Sequence, residues 1–307
     1  MMHTKQIGKN IYQVELDTGG FKQLICSYII TGSTPVLIES GPTNSVPNLL
    51  SSIQELGMAP KDIAYIAVTH IHLDHGGGAG TLLKALPNAK VLVHPRGVAH
   101  LIDPECLWTA SQAVLGYVSE VFGKPEPVSQ DRIIPITHGR LDLGNDNTLT
   151  ILETLGHASH NISFYESING GVFPGDAAGT YLPEYRVVVP TTPPPFYLES
   201  ALLSLDKLID LKPTTLYFSH FGPADDAINR LKTYKTQLQL WADITKKGVD
   251  TNLSLEEIRN IIIKTDPIMT TLNSYIQNHP IYKKTMLENC IHGFIEYSKT
   301  KQQKTRS

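Results

Sequence analysis

The chain has 307 residues, is 41% hydrophobic and 18% charged, and sets 26 Lys and Arg against 29 Asp and Glu for a formal charge of −3 with His neutral. That length suits one large domain plus a smaller appendage, and the aliphatic content excludes disorder as a description of the whole chain. The charge balance lacks the basic footprint of a nucleic-acid-binding or membrane-surface protein, so neither partner is expected.

Residues 11–16 alternate apolar and polar, and 24–31 and 35–39 are short apolar runs, which predicts an opening meander of strands. Residues 44–56 have helical spacing and stop at Gly57, a residue suited to the left-handed position after a helix end. Residues 63–69 form a continuous apolar run, as expected of a strand covered on both faces. A helix over 81–86 and a strand over 90–94 follow. Pro104, Pro125 and Pro127 break up residues 97–127 around one predicted helix at 107–122, an excursion expected to be mobile over a site. Strands resume at 131–137, 149–154, 162–166 and 171–173. The prolines at 183, 190, 193, 194 and 195 exclude a helix or a central strand from 179–198. A helix over 199–211 and a strand over 214–219 come next.

Beyond His220 the pattern is all helix. One long helix covers 224–247, Ser254 and Glu257 form a capping box, Asp266-Pro267 opens a further helix, and Pro280 opens the last. Tyr282, Met286 and Phe294 have core spacing in that last helix. The expected organisation is an α/β body over 1–223 and a helical region over 224–307. Residues 1–10 lack the pattern of a secretory leader, and no apolar run approaches the ~20 residues of a membrane helix. Three scattered cysteines without a CxxC pair fit a reducing compartment, so a cytoplasmic location is expected.

The chemistry concentrates in Thr69-His70-Ile71-His72-Leu73-Asp74-His75, between the buried strand and a helix. In extended backbone residues 70, 72 and 74 project to one side, and His75 is re-aimed as the chain turns into the helix. Open α/β sheets bind ligands at the carboxyl ends of their strands, where this segment sits. Several imidazoles and a carboxylate converging there make a metal-binding set of nitrogen and oxygen donors.

With this motif the sequence resembles the metallo-β-lactamase-fold hydrolase superfamily, and further landmarks recur in the family's order. They are Leu155-Gly156-His157, Phe173-Pro174-Gly175-Asp176, Tyr217-Phe218-Ser219-His220, and the early Ile38-Glu39-Ser40-Gly41, where the usual acidic residue is Asp. The resemblance covers the α/β body and implies an αββα sandwich with a C-terminal helical extension. It implies that His70, His72 and His157 hold one metal, that Asp74, His75 and His220 hold a second, and that Asp176 bridges them. Donors of this kind suit zinc, with iron or manganese as alternatives, and two Zn²⁺ are expected. A bridging hydroxide would then attack a carbonyl ester, thioester or lactone, with Asp74 orienting it and Glu39 fixing the tautomer of a ligand histidine.

Other residues have competing readings. His160 follows His157 by three residues and suits a hydrogen-bonding role behind the ligands or at a strand end. His94 suits a satisfied loop histidine or the rim of the site. Tyr181, Tyr185 and Arg186 could face an anionic or ester substrate or simply cover the surface. The run Gly76-Gly77-Gly78-Ala79-Gly80 lacks the Lys-Ser/Thr of a phosphate loop, so close packing of the helix start explains it better.

Within the family, the helical region is shared with hydroxyacylglutathione hydrolases (glyoxalase II), but Phe221-Gly222-Pro223 replaces their Glu-Tyr after the last ligand. Lactonases of acyl-homoserine lactones carry Tyr three residues after the bridging Asp, where this chain has Gly179. A mononuclear iron oxygenase of the persulfide dioxygenase type and a phosphodiesterase are the alternative activities on this fold. The expected partner is a small-molecule substrate, and the helical region is expected to shape its pocket or a homodimer interface.

Overall fold

The computed structural model describes residues 4–278 and 284–306. His279, the predicted helix start at Pro280 and the core position of Tyr282 lie outside the described residues. In chain order the strands are β1 (Thr4–Gly8), β2 (Ile11–Glu15), β3 (Cys26–Ile30), β4 (Val36–Ile38), β5 (Tyr65–Ala67), β6 (Lys90–Val93), β7 (Ile133–Pro135), β8 (Gly139–Gly144), β9 (Asn147–Glu153), β10 (Ile162–Glu166), β11 (Gly171–Phe173), β12 (Thr180–Leu182), β13 (Val187–Val189), β14 (Thr215–Phe218) and β15 (Gly222–Ala224). The helices are α1 (Val46–Glu55), α2 (Leu73–Gly76), α3 (Ala79–Ala85), α4 (Val98–Ile102), α5 (Glu105–Leu115), α6 (Tyr117–Phe122), α7 (Leu198–Asp210), α8 (Ala227–Asp250), α9 (Leu255–Thr265), α10 (Pro267–Asn278) and α11 (Lys284–Arg306).

Two compact units interleave along the chain. The first comprises Met1–Glu153, His160–Gly175 and Pro213–Asp225; the second comprises Thr154–Ser159, Asp176–Lys212 and Asp226–Ser307. Two segments that precede residue 223, Thr154–Ser159 and Asp176–Lys212, group with the C-terminal helices.

The first unit is an α/β sandwich. One sheet runs β1-β2-β3-β4-β5-β6-β7 and the other β15-β14-β11-β10-β9-β8. Inward-facing residues of both sheets form one core, with Ile11, Tyr28, Ile38 and Leu92 from the first meeting Leu149, Phe164 and Phe173 from the second. The Tyr28 and Phe173 rings meet edge-on at 5.1 Å, and Phe173 stacks on Tyr217 at 4.7 Å. The run 63–69 is buried on both faces because β5 lies mid-sheet between parallel neighbours β4 and β6. The glycine run serves packing: a side chain at Gly80 would collide with the Glu126 carbonyl.

Three features depart from the sequence reading. The single helix over 107–122 is two helices, because Gly116 takes a φ of 54° between α5 and α6. Strands β1, β8 and β15 lie at or next to sheet edges, where β1 and β8 are too polar, and β15 too short, to show in the pattern. The Pro-rich segment holds the isolated hairpin β12–β13, since its prolines exclude a central strand but not a two-stranded ribbon with Pro183 in its turn.

The second unit joins that hairpin to α7–α11. Trp241 and Phe294 are fully buried with ring centroids 6.0 Å apart, and Phe196 packs on Phe294 at 4.8 Å. The α9 cap is as read: Ser254 Oγ accepts from Glu257 N–H, and Glu257 Oε2 accepts from Ser254 N–H. Asp266 does more than cap α10. One of its oxygens accepts from Ile268 N–H at 2.8 Å; the other accepts from Gln237 Nε2 at 2.7 Å and Trp241 Nε1 at 2.8 Å. Asp266→Ala strands two buried donors and removes the cap, so urea unfolding is expected to show a loss of about 3 kcal/mol or more. A loss below about 1 kcal/mol would mean that water replaces these bonds. Among the described residues no helix is long and apolar enough to cross a membrane.

Candidate metal centre

The parallel strands β4, β5 and β6 pair with Ile38, Ala67 and Leu92 in register, so the residues that follow them emerge along one sheet edge. Those residues are Glu39, the Thr69-His70 segment and His94. From the second sheet, β14 delivers Ser219 and His220. The sheets are stitched at this edge by Cys26 N–H to the Ser219 carbonyl and by Ile162 N–H to the Thr69 carbonyl, each 2.8 Å. Gly175 closes the turn after β11 with a φ of 54°, and a side chain there would collide with Thr69.

Glu39 is the fully buried hub of this edge. Its Oε2 accepts from Thr69 N–H at 3.0 Å; its Oε1 accepts from the Thr69 hydroxyl at 2.5 Å and the Ser219 hydroxyl at 3.1 Å. The same Oε1 lies 3.0 Å from His75 Nδ1. A carboxylate can only accept, so neutral His75 carries its proton on Nδ1 and its lone pair on Nε2. His220 is set the same way, with Nδ1 2.7 Å from the Leu24 carbonyl. His70 is set by relay: the Thr69 hydroxyl donates to Glu39, and its oxygen lies 3.0 Å from His70 Nδ1.

These orientations converge on Asp74. Its Oδ2 is 3.2 Å from His220 Nε2 and 3.7 Å from His75 Nε2, and donor atoms of the three residues lie within 4.8 Å of one another. Burial pushes the Asp74 carboxyl up, but the charge that His75, His220 and His72 carry when protonated, with the hydrogen bond His220 then donates, overcomes it and holds the carboxyl well below the usual carboxylate range. His70 Nε2 and His72 Nδ1 approach to 3.1 Å. Two nitrogens on one tetrahedral zinc at ~2.0–2.1 Å would be about 3.4 Å apart, so this spacing fits a shared ion. His160 packs beside them, its ring 5.7 Å from His72 and 6.3 Å from His70.

In the second unit, His157 Nδ1 lies 2.7 Å from the Thr191 carbonyl, which again puts the lone pair on Nε2, and Nε2 lies 3.7 Å from Asp176 Oδ2. Both residues are buried. Tyr181 is buried within β12 with the Arg230 guanidinium 5.0 Å over its ring. Arg186 is exposed in the hairpin turn, and its carbonyl accepts from Arg230. His94 is a satisfied histidine: Nδ1 accepts from Arg96 N–H, and Nε2 lies 3.0 Å from Glu153.

The donor set is imidazole and carboxylate with no thiolate, held in the ligating tautomer, and it fits a divalent cation such as zinc. Thr69 and Ser219, which complete the Glu39 hub, stand inside the sequence motifs but have no role in the sequence reading, although each adjoins a histidine. The carbonyls of Leu24 and Thr191 carry no side-chain signature at all.

The family model for the metallo-beta-lactamase superfamily matches residues 23–220. The chain is 31% identical over 250 residues to the metallo-beta-lactamase fold-containing protein ST1585 of Sulfurisphaera tokodaii, covering 76% of this chain and 90% of that one. It is 30% identical over 162 residues to the N-acyl homoserine lactonase AttM of Agrobacterium fabrum, a match spanning 53% of this chain and 54% of the lactonase. The crystal structure of the metallo-beta-lactamase family protein TTHA1429 from Thermus thermophilus shares the fold, with a TM-score of 0.66 at 22% identity over 91% of this chain and 89% of that one.

Proposed function

Since the chain belongs to the metallo-β-lactamase superfamily, we propose that it is a dinuclear metal-dependent hydrolase that cleaves a carbonyl ester, thioester or lactone. His70, His72 and His157 would hold one ion, Asp74, His75 and His220 would hold the other, and Asp176 would be shared by both. Zinc is the expected metal, with iron or manganese compatible with the same donors. Three imidazoles carry the proposal: His75, His220 and His157 each turn Nδ1 to an acceptor and so reserve Nε2 for a cation. Similarity to the AttM lactonase over about half its length supports a carbonyl rather than a phosphoryl substrate.

Divalent ions, when bound, polarise the carbonyl oxygen and bring the pKa of water toward neutrality. The chain's own groups do the positioning. Asp74, ionised at neutral pH, has the charge to orient the proton of an attacking water. Glu39 braces His75 directly and His70 through Thr69, so these ligands lose little freedom when a cation arrives.

Elemental analysis with a panel of an aryl ester, an acylated thiol, a lactone and an aryl phosphodiester tests this reading. About two zinc per chain and clear preference for a carbonyl substrate are expected, and chelation should abolish turnover until metal is restored. His72→Ala and Asp176→Ala should each abolish turnover and lower the metal content. One iron per chain with no hydrolysis would overturn the assignment, as would full activity in either variant.

A further inference from the structure

We propose that helix α11 sets the metal-ligating geometry of His157 from behind, by holding residues 190–192, whose middle carbonyl orients the ring. Thr192 and Gly293 are then positioning residues of the metal centre. Their role rests on the assignment of His157 as a ligand, proposed above.

The segment leaves β13, and α11 grips it on both sides of Thr191. The Pro190 carbonyl accepts from the Cys290 thiol at 3.4 Å, and the Thr192 hydroxyl donates to the Cys290 carbonyl at 3.0 Å. Burial pushes the Cys290 thiol up to about 11, so it stays a neutral donor. The Thr192 carbonyl rests on Gly293, where a side chain would collide with it. Helix and segment can therefore touch only because residue 293 has no Cβ. The Thr191 carbonyl is turned to His157 instead, 2.7 Å from Nδ1. Carbonyls alternate in direction along extended backbone, so a segment pinned to α11 at 190 and 192 presents 191 to the imidazole.

The main chain before His157 is held separately, by α7. Ser204 Oγ donates to the Leu155 carbonyl at 2.7 Å, and Tyr197 N–H donates to the Gly156 carbonyl at 3.1 Å. With that backbone fixed, the ring remains to be set, and the Thr191 carbonyl sets it. A displacement of about 1 Å would carry Nδ1 and this oxygen past the reach of a hydrogen bond. The imidazole would then lose the acceptor that keeps its lone pair on Nε2. Thr192 and Pro190 are buried, so bulk water does not stand in for the bonds to α11.

Zinc titration against a chelator tests the proposal. Gly293→Ala should push the segment off α11 and weaken one of two zinc ions about tenfold, leaving the other unchanged. Thr192→Val keeps the shape but not the hydroxyl, and should weaken the same ion about threefold, with Thr192→Ser restoring it. This milder pair decides the matter if Gly293→Ala fails to fold. Gly248→Ala is the packing control. It also crowds a helix glycine of the second unit, but the added Cβ would meet Ile258 of α9 at 2.6 Å and not this segment. Zinc affinity there should match the parent.

The Nδ1 proton of His157 gives a second readout by NMR of the zinc-loaded protein. Identified as the imidazole proton lost in His157→Gln, it should lie downfield and exchange slowly in the parent. In Gly293→Ala it should move upfield and exchange about tenfold faster, and in Gly248→Ala it should stay. Parent zinc affinity in both Gly293→Ala and Thr192→Val overturns the role of α11 and leaves the hydrolase standing. Equal weakening in Gly248→Ala overturns it too, because any loosening of the helices would then suffice. Unchanged zinc content in His157→Gln removes His157 from the ligand set, and with it both that part of the proposed metal centre and the role of α11 in holding it.

Discussion

Asp74→Asn is expected to lower kcat/KM by about a thousandfold or more and to remove one metal ion per chain. Asparagine keeps the size of the side chain and one oxygen, so packing around α2 is undisturbed. It removes the negative charge that faces His220 Nε2 at 3.2 Å and His75 Nε2 at 3.7 Å. Of the three donors grouped there, Asp74 alone is anionic, so a divalent ion would sit on neutral ligands. The depressed pKa of Asp74 has the same origin, because the imidazoles that stabilise its anion are those that gather around it. Metal content and kcat/KM on one preparation check this, with Asp74→Glu as the charge-preserving control. Activity within tenfold of the parent, with metal fully retained, would remove Asp74 from the site.

How much of this was legible in the sequence follows from where each signal resides. The His70 to His75 segment announces itself because four His and Asp donors crowd into six residues after a buried strand, although α2 begins at Leu73, so Asp74 is aimed by a helix and not by extended backbone. Ser254 with Glu257 and Asp266 with Pro267 were equally plain, since a cap is local chemistry. The long-range partners were not. The Gln237 and Trp241 bonds to Asp266 join residues 29 and 25 positions apart, and no periodicity encodes them. The interleaving of the two units has the same character. Residues 154–159 group with the helices through Ser204 Oγ donating to the Leu155 carbonyl and Tyr197 N–H donating to the Gly156 carbonyl. At the metal centre the ligand types showed in the sequence, whereas two of the four acceptors that orient them, at Leu24 and Thr191, are backbone carbonyls, which every residue has.

Glu39→Gln is expected to weaken metal binding by about 10- to 100-fold and to cost about 3 kcal/mol of stability. Four donors meet this one carboxylate: Thr69 N–H, the Thr69 and Ser219 hydroxyls, and His75 Nδ1–H. A glutamine can keep its oxygen at the Oε1 position only by turning its amide NH₂ toward Thr69 N–H, which sets donor against donor in a dry site. If it flips, the hydroxyls and His75 lose their acceptor instead, and His75 is no longer held in the ligating tautomer. Glu39→Asp isolates reach from charge. It keeps the carboxylate but withdraws it by about 1.5 Å, more than bonds already at 3.0 and 3.1 Å can absorb without movement of β4. The aspartate should therefore lie between the parent and the glutamine variant in chelator competition. The two substitutions should also separate in kinetics, because Glu39 touches His75 and no substrate. Metal-saturated Glu39→Asp should recover most of kcat, whereas a group in contact with substrate would not recover with added metal. Metal affinity unchanged in Glu39→Gln would mean that the packing around His75, and not this carboxylate, keeps Nε2 aimed at the ion.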